Sequence, residues 1–353
     1  MWETLSNGLD DGRYVSRDRC EIVARLRQVD PEALRLAAQR RLDGAAAQAR
    51  PVTDEEYRRH EYEAFRDGRG DPNTDLSVDV RYPAEYGPPL KGFVARVCLV
   101  RKLRETRTLA GFTRIFPPAN IDAAALPDGV LQTGRYQVQP LSVGRNLGWL
   151  PAVVVRGEGI FVEFDSSAID SWLATGAPLW RVTSMVESYN GNRAKRLLPS
   201  RHVTPKFVLL HTLAHVLIRQ LSFDCGYGSA SLRERIYYEH TSASEPMQGI
   251  LIYTASGDSE GTMGGLVRQG EPGRLEATFD EGLRAAAWCS SDPVCIESRG
   301  QGAENANLAA CHGCVLVSET SCEEGNRLLD RGMLVGSLEE PACGLFTRRL
   351  DRA

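Results

Sequence analysis

Residues 288–295 read W-C-S-S-D-P-V-C, and residues 309–322 read A-A-C-H-G-C-V-L-V-S-E-T-S-C. Five of the nine cysteines fall in this window, spaced C-x5-C, fifteen residues, C-x2-C, seven residues, C. Zinc takes four tetrahedral ligands, and a C-x2-C turn offers two thiolates to one ion. Cys311 and Cys314 form such a knuckle, Cys322 follows within reach, and the spacing leaves the fourth ligand open between Cys289 and Cys295. The expectation is a structural zinc held by four of Cys289, Cys295, Cys311, Cys314 and Cys322. A redox dithiol would need no third and fourth cysteine nearby. A c-type haem would need histidine where Val315 stands.

The rest of the chain sets the frame for that site. Its 353 residues give room for two or three domains. A formal charge of −4 is not the global signature of a nucleic-acid binder, although 42 Lys and Arg leave a local basic face open. The first residues lack the basic start and apolar core of a signal peptide, and no run approaches the ~18 apolar residues of a membrane span. Clustered, odd-numbered cysteines read as reduced thiols around a metal, so the expected location is the cytoplasm, with no membrane partner.

Working outward, residues 1–75 read as a polar helical segment. Asp30-Pro31-Glu32 starts one helix, and Thr53 to Glu56 has the spacing of a capping box for another. Gly68 to Thr74 breaks the pattern as a linker. Residues 76–200 read as a mixed α/β region. Phe93 to Val100 is a β-branched run, Leu150–Arg156 and Ile160–Phe164 flank Gly157-Glu158-Gly159 as a hairpin, and Asp165 caps a helix through Leu173. Residues 201–353 form the zinc-binding domain around a buried helix, Phe207 to Ile218, which is apolar on nearly every face. The fold class is therefore α+β.

His211 and His215 share one face of that helix at i, i+4. A zinc protease would carry a general-base Glu directly after the first His, where Thr212 stands. The pair is expected to be hydrogen-bonded in the core, with a functional role as the second reading. Residues 225–236 read as a turn into a helix capped by Ser229 or Ser231, with Arg233 and Arg235 on its solvated face and available to phosphate as the sharper alternative. Gly249 to Thr254 is a strand, and the glycine-rich loop 256–265 matches no nucleotide fingerprint. Asp280 to Trp288 reads as a helix delivering Cys289, and Ser321 to Glu324 as the start of a last helix.

Taken in order, H-T-L-A-H-V-L-I-R-Q-L (211–221), C-G-Y-G-S-A-S-L-R-E-R-I-Y (225–237), G-I-L-I-Y-T (249–254), W-C-S-S-D-P-V-C, N-L-A-A-C-H-G-C, E-T-S-C-E and N-R-L-L-D-R carry a resemblance. Over residues 201–340 the chain resembles the MrfA-like zinc-binding (MZB) domain, in the version found in DrmB-like proteins of the DISARM phage-defence system. G-F-T-R-I (111–115) and W-L-P-A-V-V-V-R-G-E-G-I-F-V-E-F (149–164) extend it more weakly toward residue 90. The resemblance implies four cysteines on zinc and a superfamily 2 helicase fused to the domain or encoded beside it. Cys311, Cys314 and Cys322 match the family's core, and Cys289 and Cys295 both fall at family positions. The start departs from DrmB in being short and lacking further C-x2-C pairs, which points to a compact zinc-domain subunit. No Walker A loop or DEAD/DEAH box is present.

The resemblance thus implies a non-catalytic accessory subunit that docks on a separately encoded helicase and aids its binding or loading on DNA. Any DNA contact would run through Arg233 and Arg235, aided by Arg193, Lys195 and Arg196. Two other classes compete. One is a metal-dependent hydrolase or nuclease using His211, His215 and the loop carboxylates Asp258 and Glu260; the other is a regulatory zinc protein whose thiolates sense oxidation.

Overall fold

A computed structural model describes residues 9–10, 14–27, 29–46, 54–68, 75–109, 111–112, 139–140, 151–195, 200–228, 230–238, 246–254 and 265–347. The chain divides into two compact units, Met1–Tyr57 and Arg58–Ala353. In the first, a two-residue strand pair, β1 (Leu9–Asp10) and β2 (Tyr14–Val15), precedes helices α1 (Arg17–Arg27) and α2 (Pro31–Ala46). Asp30 accepts a hydrogen bond from the Ala33 N–H at 2.7 Å and opens α2, as its position before Pro31 predicts. The core here is small among the described residues: Val15, Cys20, Val23 and Ala38, with Leu34 packed against them.

The second unit is built on an antiparallel five-stranded sheet in the order β3-β4-β7-β9-β8. The strands are β3 (Leu76–Arg81), β4 (Val94–Thr108), β7 (Ala152–Phe164), β8 (Leu232–Tyr238) and β9 (Gln248–Thr254), with a short pair, β5 (Gly111–Phe112) and β6 (Gln139–Pro140), beside them in the chain. Three strands come from the 76–200 stretch and two from beyond residue 201. Alternation along the strands sends side chains to two different layers. Cys98, Val100, Phe161, Tyr237, Leu251 and Tyr253 face Tyr62 and Phe65 of α3 (Asp54–Arg66). Leu99, Ile160, Val162, Ile236, Ile250 and Ile252 join the larger core on the other side. On the α3 side the rings interlock: Tyr62 meets Phe161 edge-on at 5.5 Å, and Phe65 stacks on Phe161 at 5.0 Å.

The larger core is organised by α6 (Pro205–Cys225), the helix expected from its apolar run. Thr204 caps it, Pro205 begins it, and Gly226 ends it in the left-handed conformation at φ 70°. Around it lie α4 (Ser166–Leu173, capped by Asp165), α5 (Ala177–Lys195), α7 (Gly265–Gln269), α8 (Leu275–Ala286) and the single turn α9 (Gly332–Val335).

Three sequence expectations change here. The residues read as a hairpin around Gly157 and Gly159 form one continuous strand, β7. The glycines are there because β9 passes too close for a side chain: a β-carbon at 157 would collide with the Thr254 carbonyl, and one at 159 would lie 2.8 Å from the Ile252 carbonyl oxygen. The segment carrying Arg233 and Arg235 is strand β8 and not a helix; Leu232, Glu234 and Ile236 alternate inward, and a glutamate on the buried face hid the period of two. No helix starts at Ser321. A 3₁₀ turn ends there, Cys322 is extended, and Gly325, Asn326 and Leu328 all take positive φ, which no helix accommodates. Leu328 and Leu329 nevertheless reach the core as expected.

Gly157→Ala is expected to lower stability by about 1–3 kcal/mol through this forced overpacking. Gly191→Ala, at an exposed position of α5 with nothing within 4 Å of the new methyl, should be neutral or stabilising by up to about 1 kcal/mol. Paired urea titrations of the two variants measure the contrast.

Candidate metal centre

Helix α8 ends at Ala286, and the chain then turns back on itself at Asp292. The Asp292 carboxylate accepts from the N–H groups of Cys289 (2.9 Å) and Ile296 (3.1 Å), while the Cys295 N–H bonds to the Ser291 carbonyl at 2.9 Å. This turn folds C-x5-C so that both sulfurs face the knuckle. The resulting sulfur–sulfur distances are 3.5 Å for Cys289–Cys311, 3.7 Å for Cys295–Cys314 and 3.6 Å for Cys311–Cys314. A tetrahedron of sulfurs at the zinc–thiolate bond length of ~2.3 Å has edges of about 3.8 Å. All four ligand atoms lie within 4.8 Å of one another. Cys322, expected from its spacing to join the knuckle, lies elsewhere; the structure brings Cys289 and Cys295 together with Cys311 and Cys314. The signal for that was Ser291-Asp292-Pro293, which is turn chemistry.

Burial pushes the Cys295 and Cys314 thiols up. Cys311 is held below the ordinary thiol range: burial opposes this, but hydrogen bonds from Cys289 and the Gly313 N–H prevail. Backbone N–H groups already point at sulfur, from Ser291 to Cys289 at 3.4 Å and from Cys311 to Cys314 at 3.2 Å. Arg331, fully buried, ion-pairs with Asp292 and donates to the Ala286 carbonyl at 2.9 Å, locking the turn from behind. Its neighbour Asp330 takes Arg181 of α5 in a two-pronged buried pair at 2.7 and 3.1 Å and also accepts from the Ala309 and Gly332 N–H groups. Sequence reading passed over both arginine–aspartate pairs, because single charges scattered over 150 residues leave no local pattern.

His211 and His215 sit on α6 with no exposed surface. Each ring gives its Nδ1 to a backbone carbonyl, His211 to Leu328 at 3.3 Å and His215 to Val315 at 3.1 Å. Their Nε2 atoms turn toward Glu234 of β8 and Cys322. His211 Nε2 is 3.0 Å from Glu234 and 3.2 Å from the Cys322 sulfur, and His215 Nε2 is 3.5 Å from Glu234. Burial works against charge on both imidazoles, but Glu234 and Cys322 overcome it: His211 rises well above its ordinary range and His215 to about 9. Burial likewise opposes ionisation of Glu234 and Cys322, and the two histidines hold both below their usual values. Thr212, in the place a zinc protease gives to its general base, instead accepts from the Asp330 N–H at 3.0 Å.

The arginines proposed for phosphate are engaged within the protein. Arg235 pairs with Glu61 at 2.5 Å and Glu323 at 3.3 Å, and Arg233 lies 3.9 Å from Glu105. Arg193 stacks over the Tyr189 ring at 5.7 Å, and Lys195 reaches Asn192 at 3.4 Å. Arg196, Asp258 and Glu260 lie outside the described residues.

Residues 213–315 match the model of the MrfA Zn-binding domain. The chain carries an MZB domain. All four sulfurs of the cage fall inside the matched span, whereas His211 and Cys322 lie just outside it. Over 277 residues, 77% of this chain, the sequence is 33% identical to the DISARM protein DrmB of Bacillus paralicheniformis, and it spans 46% of that protein's length. Among the described residues no helix is long and apolar enough to cross a membrane.

The packing around the cysteine cage is expected to depend on the Arg181–Asp330 pair. Asp330→Ala should lower stability by about 3–5 kcal/mol, because it strands a buried guanidinium as well as two backbone donors. Denaturant titration at constant zinc measures this directly.

Proposed function

We propose that this chain is a zinc-holding, non-catalytic component of a DISARM-type phage-defence system, docking on a separately encoded superfamily 2 helicase and aiding its binding or loading on DNA. The observation that carries the reading is the four-sulfur cage inside the MZB span, with edges close to those of a zinc–thiolate tetrahedron. Cys289, Cys295, Cys311 and Cys314 would hold the ion. Zinc closed in by four thiolates supplies cross-linking and no open coordination position for water or substrate, which favours a structural role over hydrolysis. The similarity to DrmB supports membership of a defence assembly, and the assembly's other components are the natural partners of a chain without motor motifs. The reading places the chain in the cytoplasm, where reducing conditions keep such thiols available to metal.

Direct DNA contact is the weaker part of this role on electrostatic grounds. Arg235 is already met by two carboxylates, so a phosphate would have to displace them. Salt dependence of binding scales with the number of phosphates neutralised. The chain alone should therefore bind DNA weakly with a shallow salt slope, and most of the basic surface in a complex should come from the helicase.

Two measurements test the reading. Cys314→Ser should release about one zinc per chain and destabilise the surrounding segment, because binding energy at such a site is folding energy. Zinc content unchanged in that variant would remove the cage from consideration. Purified chain added to the helicase should raise its DNA affinity or its ATPase rate while cleaving and hydrolysing nothing by itself. A helicase indifferent to the chain, or DNA cleavage by the chain alone, would refute the accessory role.

A further inference from the structure

We propose that His211, His215, Glu234 and Cys322 hold a second metal ion, a zinc, in a closed structural site separate from the cysteine cage. The four side chains come from three places in the fold: one turn of α6, the buried face of β8, and the loop after the 3₁₀ turn at Glu319–Ser321. Their ligand atoms lie within 4.8 Å of one another. The separations of 3.0, 3.2 and 3.5 Å approach the edges of a tetrahedron with zinc–nitrogen and zinc–oxygen bonds of ~2.0–2.1 Å and one zinc–sulfur bond of ~2.3 Å, which run from about 3.3 to 3.6 Å.

The hydrogen bonding around the cluster is that of a metal site. Both histidines give Nδ1 to a backbone carbonyl, which fixes the tautomer with the Nε2 lone pair directed inward, the usual outer-shell arrangement for a ligating imidazole. The Cys322 sulfur accepts two backbone N–H groups, from Glu324 at 3.3 Å and Asn326 at 3.2 Å, as a thiolate does. Glu234 is oriented by the Glu323 N–H at 3.1 Å on one carboxylate oxygen.

A metal-free network leaves atoms unsatisfied in the same place. His215 Nε2 and the other oxygen of Glu234 are buried with no hydrogen-bond partner among the described residues. Protonating the ring would set its Nε2–H against a Glu234 oxygen 3.5 Å away that also meets His211 and the Glu323 N–H, and would leave the other Glu234 oxygen unmatched. Burying such groups without partners costs about 1–3 kcal/mol each. One cation accepts all four lone pairs at once. Two imidazoles, a carboxylate and a thiolate in tetrahedral array suit zinc, and the absence of exposed surface on either histidine makes the site closed and structural.

The test uses the full chain, grown with zinc and purified without chelator. Total metal by mass spectrometry should give two ions per chain. Zinc X-ray absorption on the unaltered protein should show about 2.5 sulfurs per zinc on average, from four sulfurs at one site and one at the other, with nitrogen and oxygen making up the rest. Cys322→Ser or His215→Gln should reduce the content to one ion with an all-sulfur shell. Cys314→Ser should leave the ion with the light-atom shell. An all-sulfur shell in the unaltered protein, or no bound metal at all, would overturn the proposal without reference to whether any variant folds. An outcome with the light-atom site alone would keep it and refute the cysteine cage.

Discussion

Polar side chains on one face of an otherwise apolar helix govern where the C-terminal third of the chain can go. His211, Thr212 and His215 have no exposed surface, and α6 cannot supply their partners. Those partners come instead from the backbone of residues 315–330: Leu328 and Val315 accept from the imidazoles, and the Asp330 N–H bonds to Thr212. One turn further along the same face, Arg219 donates to the carbonyls of Leu316, Gly313 and, at the limit of hydrogen-bonding distance, His312. Leaving any one of the buried groups unmatched would cost about 1–3 kcal/mol, so their spacing along the helix dictates the path of the segment laid over it.

That segment has little regular structure with which to hold itself. Between the end of α8 and the single turn α9 it consists of turns, 3₁₀ pieces and one isolated bridge, Gln301 with Asn307. Its rigidity comes from side chains that satisfy backbone. Asn307 donates to the Asn326 carbonyl and accepts from the Leu329 N–H; Asn326 does the same for Val317 from both sides. Asp330 and Arg331, fully buried neighbours, carry opposite charges to α5 and to the Cys289 turn. Four thiols packed at 3.5–3.7 Å complete this arrangement. A metal there would replace the cooperative hydrogen-bond ladder that an irregular stretch lacks.

What was legible in the sequence was local. The cap at Asp30, the cap at Asp165 and the buried helix after Pro205 each declare themselves within a few residues, and each is present. The clustering of cysteines announced a metal site, but which four converge is decided by a turn at Asp292 and by where Val315 and Leu328 must dock on α6. The Asp292 turn is itself local, but the Arg331 pair that locks it and the two docking contacts on α6 span 39, 100 and 117 residues. The glycines of β7 misled for the same reason. Gly157 and Gly159 look like a turn until β9, almost 100 residues on, is seen lying against them. Glu234 broke the alternation of β8 to the eye, because its partners are two histidines that precede it by 19 and 23 residues on a different element.

With ions at both clusters, the two sites are mechanically one device. Cys314 belongs to the cage, the next residue's carbonyl holds His215 in place, and Cys322 closes the loop onto His211. The intervening stretch is therefore fixed at both ends and at its start against α6. Ordering one end of a short loop lowers the conformational entropy that remains to be lost when the other end is held. An ion at one site would thus prepare the ligand set of the other, and linkage would make the effect reciprocal. The Val315 carbonyl, one residue after Cys314, accepts a hydrogen bond from His215 Nδ1 at 3.1 Å and so joins the two clusters directly.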